Sequence, residues 1–134
     1  MSRVLALDFG EARCGCAVSD PTGTVVTPLG AVERPATRKG LGRIAALVRE
    51  REIERVVVGL PLSLSGHEGP QAAHTREWAT RLAERLSIPV DLYDERLTTR
   101  QAERSGGAAD ADSRAAAHLL EAYLAAATAS HGAE

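Results

Sequence analysis

The sequence has few aromatic residues, few cysteines and no long apolar run. Aromatic side chains make up 3% of the 134 residues, so recognition by stacking bases on exposed rings is disfavoured. The two cysteines, Cys14 and Cys16, lie too close together for an ordinary disulfide or a CxxC site, and they are interpreted as small buried residues in a reducing compartment. No apolar segment approaches the roughly 18 residues of a membrane span, and no signal peptide is recognisable. These absences predict a cytoplasmic protein that makes no membrane contact.

A strong net charge is also missing. The formal net charge is −2, so no global field draws the protein onto nucleic acid, and any contact with a polyanion must be local. Hydrophobic residues make up 44% and charged residues 25%, which is the balance of an ordinary globular protein. A chain of this length is expected to form one domain over residues 1–134 with its own core.

Hydrophobic patterning predicts three strands followed by alternating helices and strands. The segments "RVLALDF", "RCGCAVS" and "VVTPLGAVER" are separated by short turns, which favours an antiparallel meander. Helices are predicted over residues 37–52, from Pro70 onward and over residues 116–127, with "SGGAADAD" as a loop before the last helix. The strands "RVVVGLP" and "PVDLY" lie between the helices. The order βββαβαβα requires parallel crossovers, and by analogy of topology it is the order of the α/β ribonuclease H-like fold, a mixed five-stranded sheet flanked by helices.

Carboxylates stand where the central strands end and where the last helix begins. Asp8 closes the first strand, the pair Asp94 and Glu95 closes the last strand, and Asp112 precedes the last helix on its buried face. Because successive side chains of a strand point to opposite faces, only one of the pair can join Asp8, and Glu95 is preferred for its longer stem. Such a group of oxygens suits Mg²⁺ or Mn²⁺. The structural alternatives are a turn cap for Asp8, a helix N-cap for Asp112 and an ion pair with Arg96 for the remaining acid.

Arginines follow the acidic pair at intervals of four residues. Arg96, Arg100 and Arg104 have this spacing, and Thr98 with Gln101 resembles a capping box, so a short helix is predicted there. The last two arginines would form a basic stripe beside the acids that holds flanking phosphates. The alternative is a solvated helix face balanced by Glu103.

Taken together, five pieces of the sequence closely resemble the YqgF family of pre-16S rRNA nucleases, which are also described as Holliday-junction-resolvase-like. The pieces span residues 5–124, and they are "LALDFGEARCGCAVSDPTG", "TPLGAVER", "VVVGLPLSLSGHEGPQA", "DLYDERLTT" and "DSRAAAHLLEAYL". The resemblance implies a ribonuclease H-like fold and a hydrolase, a Mg²⁺- or Mn²⁺-dependent endonuclease that acts on structured nucleic acid. Maturation of the 5′ end of pre-16S rRNA in ribosome biogenesis is the implied role.

The resemblance also implies site residues. Asp8, Asp94, Glu95 and Asp112 match the family's acids, and Asp8, Glu95 and Asp112 are the expected metal ligands. Substrate-binding residues are expected beside these motifs and in the "GLP…G" loop, namely Arg13, Arg96, Gly59, Pro61 and Gly66. Many ribonuclease H-like enzymes carry an acid at the end of the fourth strand, where this chain has "GLP".

The chain departs from the family pattern at two basic positions. Ala12 stands where the family often has lysine, and "SGGAADAD" replaces a basic segment before the last acid. Both changes remove positive charge near the expected substrate path. A ribosomal subunit or a ribosomal protein is therefore expected to supply part of the grip on RNA.

Three other functions are compatible with parts of the sequence. A Holliday junction resolvase would use the same metal site on four-way DNA and would normally be a homodimer, whereas an RNA nuclease can be a monomer. A non-enzymatic RNA- or ribosome-associated factor would use the acids structurally. An actin-like ATPase, suggested by "LDFGEARCG", would need about two to three times this length. Metal-dependent cleavage distinguishes the two nucleases from the non-enzymatic factor, and the substrate that is cleaved distinguishes the two nucleases from each other. The resemblance favours pre-rRNA over a DNA junction.

Overall fold

The computed structural model describes residues 3–97 and 108–132. In these ranges it has five strands, three α-helices and one 3₁₀ turn over Glu95–Leu97. The strands are β1 (Val4–Phe9), β2 (Arg13–Ser19), β3 (Val26–Glu33), β4 (Arg55–Leu60) and β5 (Val90–Asp94). The helices are α1 (Arg38–Glu50), α2 (Pro70–Arg85) and α3 (Ala108–Gly132).

The strands form a single mixed sheet in the order β3-β2-β1-β4-β5. The first three strands pair antiparallel, because the turns between them are short, and β4 and β5 pair parallel with β1 and with each other. The helices α1 and α2 make the crossovers that parallel pairing requires. The predicted element order βββαβαβα and the mixed five-stranded sheet are confirmed.

Each face of the sheet packs against different helices. One face carries branched side chains and both cysteines against α1 and α2, and its largest buried members are Leu5, Leu7, Ile44, Trp78 and Leu82. The cysteines are unbridged, and burial is the main cause of a raised pKa for the Cys14 thiol. The other face is lined by alanines and valines, which let α3 lie close to the sheet. Its buried members are Val4, Ala6, Ala17 and Val57, and Ala116, Leu119 and Leu120 of α3 pack on them.

Helix α3 begins earlier than predicted. The segment "SGGAADAD" was expected to be a loop with Asp112 before the helix, but the helix starts at Ala108 and Asp112 is its fifth residue. Alanine has the highest helix propensity, and the alanines of this segment extend the helix. The alternative in which Asp112 is the N-cap is therefore wrong.

The other end of α3 is held to the edge strand by a polar cluster. The Tyr123 hydroxyl donates to Asp91 Oδ2 at 2.9 Å, and Arg55 Nη1 bonds the same oxygen at 2.6 Å. The rings of Tyr93 and Tyr123 meet edge to face at 5.7 Å. These contacts fix the line of α3 across the sheet and so fix where Asp112 lies. None of the helices in residues 3–97 and 108–132 is long and apolar enough to cross a membrane.

Candidate active site

Asp8 lies on the central strand and faces α3. Val4 and Ala6 pack against α3, so alternation along β1 points Asp8 to the same face. In the antiparallel ladder Asp8 stands opposite Gly15 of β2. On the other side Leu7 is level with Val58, so the next position along places Gly59 of β4 beside Asp8. The carboxylate thus has a glycine on both neighbouring strands.

Gly15 lets α3 pass directly over β2. A Cβ atom added to Gly15 would lie 2.0 Å from the carbonyl oxygen of Asp112 and 3.1 Å from its Cβ. No side chain fits in that space, and the glycine therefore brings Asp112 down beside Asp8. Arg13, at the start of β2, then binds Asp112 through Nε to Oδ2 at 3.0 Å.

Gly59 makes the equivalent space for Glu95. A Cβ atom added to Gly59 would lie 2.8 Å from both Cγ and Oε2 of Glu95. Glu95 follows β5 in the 3₁₀ turn, and the turn carries its side chain over β4. It occupies the volume that an acidic side chain at position 59 would otherwise fill. Asp8, Glu95 and Asp112 are therefore brought to one face of the sheet at the ends of its strands.

Asp94 points the other way. Leu92 packs with the α1 and α2 face of the sheet, and Asp94 shares its parity along β5. The carboxylate of Asp94 accepts from the backbone amide of Arg96 at 2.9 Å and from its Nη2 at 2.7 Å. These hydrogen bonds, the guanidinium's above all, lower the pKa of Asp94 below its usual value. Asp94 is not brought together with Asp8.

Arg96 also fixes the loop that follows β4. Its Nη1 donates to the carbonyl of Leu64 at 3.1 Å, and the guanidinium lies 3.6 Å from where a Cβ on Gly66 would be. Gly66 has a φ of +88°, a conformation that glycine adopts readily. This conformation closes the turn from Ser63 to His67. Gly59 thus borders Glu95 and Gly66 borders Arg96, and Pro61 follows β4 between them in the chain. The predicted basic stripe of Arg100 and Arg104, with the short helix from Thr98, lies outside the described residues.

A comparison with protein families identifies the chain. The family model described as "RuvX: Holliday junction resolvase" matches residues 2–126. The chain belongs to this family. Two relatives, from Syntrophomonas wolfei and Syntrophus aciditrophicus, are each 41% identical over 131 residues and each is described as "Putative pre-16S rRNA nuclease". The alignments cover 91% of this chain, with 93% of the first relative and 87% of the second. The resemblance to YqgF proteins is thereby confirmed.

Solved structures show the same fold as this RuvX-family chain. The structure "T. thermophilus RuvC in complex with Holliday junction substrate" matches with a TM-score of 0.57 and 18% identity, over 96% of this chain and 98% of that one. The structure "Thermus thermophilus RuvC structure" matches with a TM-score of 0.51 and 19% identity, over 92% and 96% respectively. At these identities the likeness establishes the fold.

The carboxylates of this RuvX-family protein fit a divalent metal by donor type. Their oxygens are the ligands that Mg²⁺ and Mn²⁺ prefer, and the two glycines leave the side chains room to converge. As the side chains stand, no group of three His, Cys, Asp or Glu residues in the described ranges is close enough to hold an ion. Arg13 occupies Asp112 Oδ2, so metal binding would exchange the guanidinium for the ion.

Sequence reasoning missed Gly15. Its signal was a glycine inside a strand, which often marks the close approach of another backbone. What the sequence alone did not provide was the crossing of α3 at that position.

Proposed function

We propose that this RuvX-family protein is a divalent-metal-dependent nuclease that hydrolyses phosphodiester bonds in the 5′-end maturation of pre-16S rRNA. The proposal is supported above all by the placement of Asp8, Glu95 and Asp112 on one face of the sheet, near the glycines beside the central strand. The relatives described as pre-16S rRNA nucleases support the substrate. The site of action is the cytoplasm, with the precursor ribosomal subunit as partner.

The three carboxylates would hold Mg²⁺ or Mn²⁺, which activates a water and stabilises the leaving oxygen when bound. The remaining steps belong to the chain itself. Arg13 balances the charge of Asp112 until the metal ion takes its place at that carboxylate. Asp94 holds Arg96 in a fixed position beside Glu95, where the half-exposed guanidinium can contact a phosphate next to the scissile one.

The proposal is tested with Asp8→Asn and a matched variant, Asp94→Asn. Both changes remove one negative charge near a strand end, but only Asp8 faces Glu95 and Asp112. Cleavage of a pre-16S RNA 5′ end is measured with and without Mn²⁺, and folding is checked by circular dichroism. Asp8→Asn should lose at least about 100-fold in rate, since a metal ligand supports several kcal/mol of charge stabilisation. Asp94→Asn loosens Arg96 but leaves the three carboxylates intact, so it should lose much less of the rate than Asp8→Asn. Full activity of Asp8→Asn would refute the mechanism.

The family description favours a second substrate, four-way DNA. Resolution needs two symmetric cuts and therefore normally a dimer. The same assay with a four-way junction, together with light scattering of the complex, separates the two substrates. Cleavage of the junction alone by a dimer would replace pre-rRNA as the substrate, and metal-independent binding without any cleavage would indicate a non-enzymatic RNA-associated factor.

A further inference from the structure

The start of α1 carries an exposed run of cationic residues. Between Glu33 and Glu50 the sequence has five cationic residues and no acid: Arg34, Arg38, Lys39, Arg43 and Arg49. We define Arg34, Arg38 and Lys39 as the α1 basic cluster. All three side chains are exposed. Arg81 of α2 borders the cluster, since its Nη2 donates to the carbonyl of Ala36 at 3.0 Å.

The cluster lies at the same end of the sheet as the carboxylates. The amide of Arg34 donates to the carbonyl of Ala12 at 2.9 Å, which extends the β2–β3 ladder past the pair of Arg13 and Glu33. The order β3-β2-β1 places the cluster two strand spacings, about 10 Å, to the side of β1. A duplex carries roughly one charge per 1.7 Å of axis, so a helix lying across these strand ends presents several phosphates over that distance.

The backbone holds the cluster firmly in place. The carbonyl of Arg34 accepts from Thr37 Oγ1 at 2.7 Å, and Thr37 Oγ1 in turn accepts from the amide of Gly40 as the helix N-cap. A Cβ on Gly40 would lie 2.2 Å from that carbonyl oxygen, so glycine permits the close packing. The Trp78 indole donates to the carbonyl of Pro35 at 3.1 Å and ties the same segment to α2.

The cluster differs in its ion pairs from two arginines that lie nearer the carboxylates. Arg13 is bound to Asp112 and Arg96 to Asp94. Within residues 3–97 and 108–132, no ion pair involves a member of the cluster. The bordering acids are Glu33, beside Arg34 in the chain, and Glu11 and Glu77, which line a groove with Arg81.

The positions of these cations do not stabilise helix α1. The first turn of α1 contains Arg38 and Lys39 and no acid, whereas the helix dipole favours negative charge there. Arg34 has a φ of +47°, a left-handed conformation that residues other than glycine rarely adopt. Charge placed against the local electrostatics, exposed and without a counter-ion in the described residues, fits an external polyanion.

We infer that the α1 basic cluster binds the phosphate backbone of the nucleic-acid substrate, beside the carboxylates and on the β3 side of the site. The inference rests on the proposed function for the identity of the substrate. It gives this chain a source of positive charge next to Ala12, where the family often has lysine. The contact is with backbone phosphates, so it applies to structured RNA and to four-way DNA alike.

The test compares opposite ends of one helix. Arg38→Glu with Lys39→Glu changes the charge at the cluster, and Arg49→Glu with Arg51→Glu makes the same change at the other end of α1. Binding of an RNA hairpin with a 5′ extension, and of a four-way DNA junction, is followed by fluorescence anisotropy in EDTA, so that cleavage plays no part. Salt is varied from about 50 to 200 mM, because the slope of log K against log salt counts phosphate contacts.

The two variants should give opposite results. Acids in the first turn suit the dipole, so the cluster variant should melt about 2–5 °C higher, yet bind at least about tenfold more weakly with a salt slope lower by about 2. The control should melt lower and bind within about twofold of wild type, since its charges lie away from the site. A cluster variant that binds like wild type with an unchanged slope overturns the inference.

The assay also separates this inference from the proposed function. Cluster-dependent binding by a wild type that does not cleave with Mn²⁺ would refute the nuclease and leave the binding surface standing. Cleavage by wild type, together with binding that the cluster variant leaves unchanged, would support the nuclease and refute the binding surface. A wild type that binds neither nucleic acid would overturn both.

Discussion

The space above Gly59 makes a sharp prediction about Glu95. An alanine at position 59 would place its Cβ 2.8 Å from Cγ and Oε2 of Glu95, whereas ordinary contact begins at 3.4 Å. Glu95 must therefore retreat from position 59 by about 0.6 Å or more. The clashing atoms belong to a flexible side chain, so the cost in stability should stay below about 1 kcal/mol.

The expected loss is in activity. A displacement near 1 Å in a catalytic group can lower a rate by about 100-fold, so Gly59→Ala should lose about 10- to 100-fold. The measurement is single-turnover cleavage at saturating Mn²⁺, with Glu95→Gln as the reference for complete loss of the carboxylate. Thermal melting of the same samples checks that the fold is retained.

Gly42→Ala is the matched control, because a Cβ there would meet only Arg85 Nη2, at 3.4 Å, in an open part of α1. It should raise the free energy of unfolding by about 0.5–1 kcal/mol and leave cleavage unchanged. Wild-type cleavage by Gly59→Ala alongside an inactive Glu95→Gln would refute the reasoning that Gly59 positions Glu95. A large fall in melting temperature would show instead that the glycine serves the fold.

Three further predictions follow from neighbouring contacts. In Gly15→Ala the new Cβ meets the backbone of Asp112 rather than a side chain, so α3 must move by about 1.4 Å to lengthen the distance from Cβ to the Asp112 carbonyl oxygen from 2.0 to 3.4 Å. Urea unfolding should show that the free energy of unfolding falls by about 1–3 kcal/mol, and cleavage should be lost. Unchanged stability would contradict this prediction. Arg13→Gln removes the competitor for Asp112, so the half-saturating Mn²⁺ concentration should fall about two- to threefold, the worth of an exposed ion pair, and a rise would count against the metal site. Arg96→Gln restores the lowered pKa of Asp94 toward its usual value. Because that pKa is depressed in the folded state, the stability due to Arg96 is present above about pH 4 and is lost as the pH falls through the folded-state pKa. Urea melts of both proteins at neutral and acidic pH measure this difference, and a difference that grows on acidification would show the sign to be wrong.

Local sequence patterns predicted the structure correctly where neighbouring residues alone decide it. The alternation of Val4, Ala6 and Asp8 fixes which face of β1 the acid shares, and Pro70 begins α2 as expected. The start of α3 was misplaced because "SGG" is a strong loop signal, while the alanines after it favour helix. Such conflicts between adjacent propensities are decided by packing, here by the small-residue face on which α3 lies.

The sequence by itself determined the order of elements and the family, and it proposed the candidate acids, since strand and helix periodicities and motif spacing are local properties of the chain. It also restricted Asp94 and Glu95 to opposite faces through strand alternation. Only the tertiary structure decided that Glu95 crosses to Gly59 while Asp94 binds Arg96, and that Asp112 descends on Gly15. The physical reason is that these contacts join residues far apart in sequence. The glycines at positions 15 and 59 have no side chain, and this sets how closely the backbone of α3 and the side chain of Glu95 can approach the sheet.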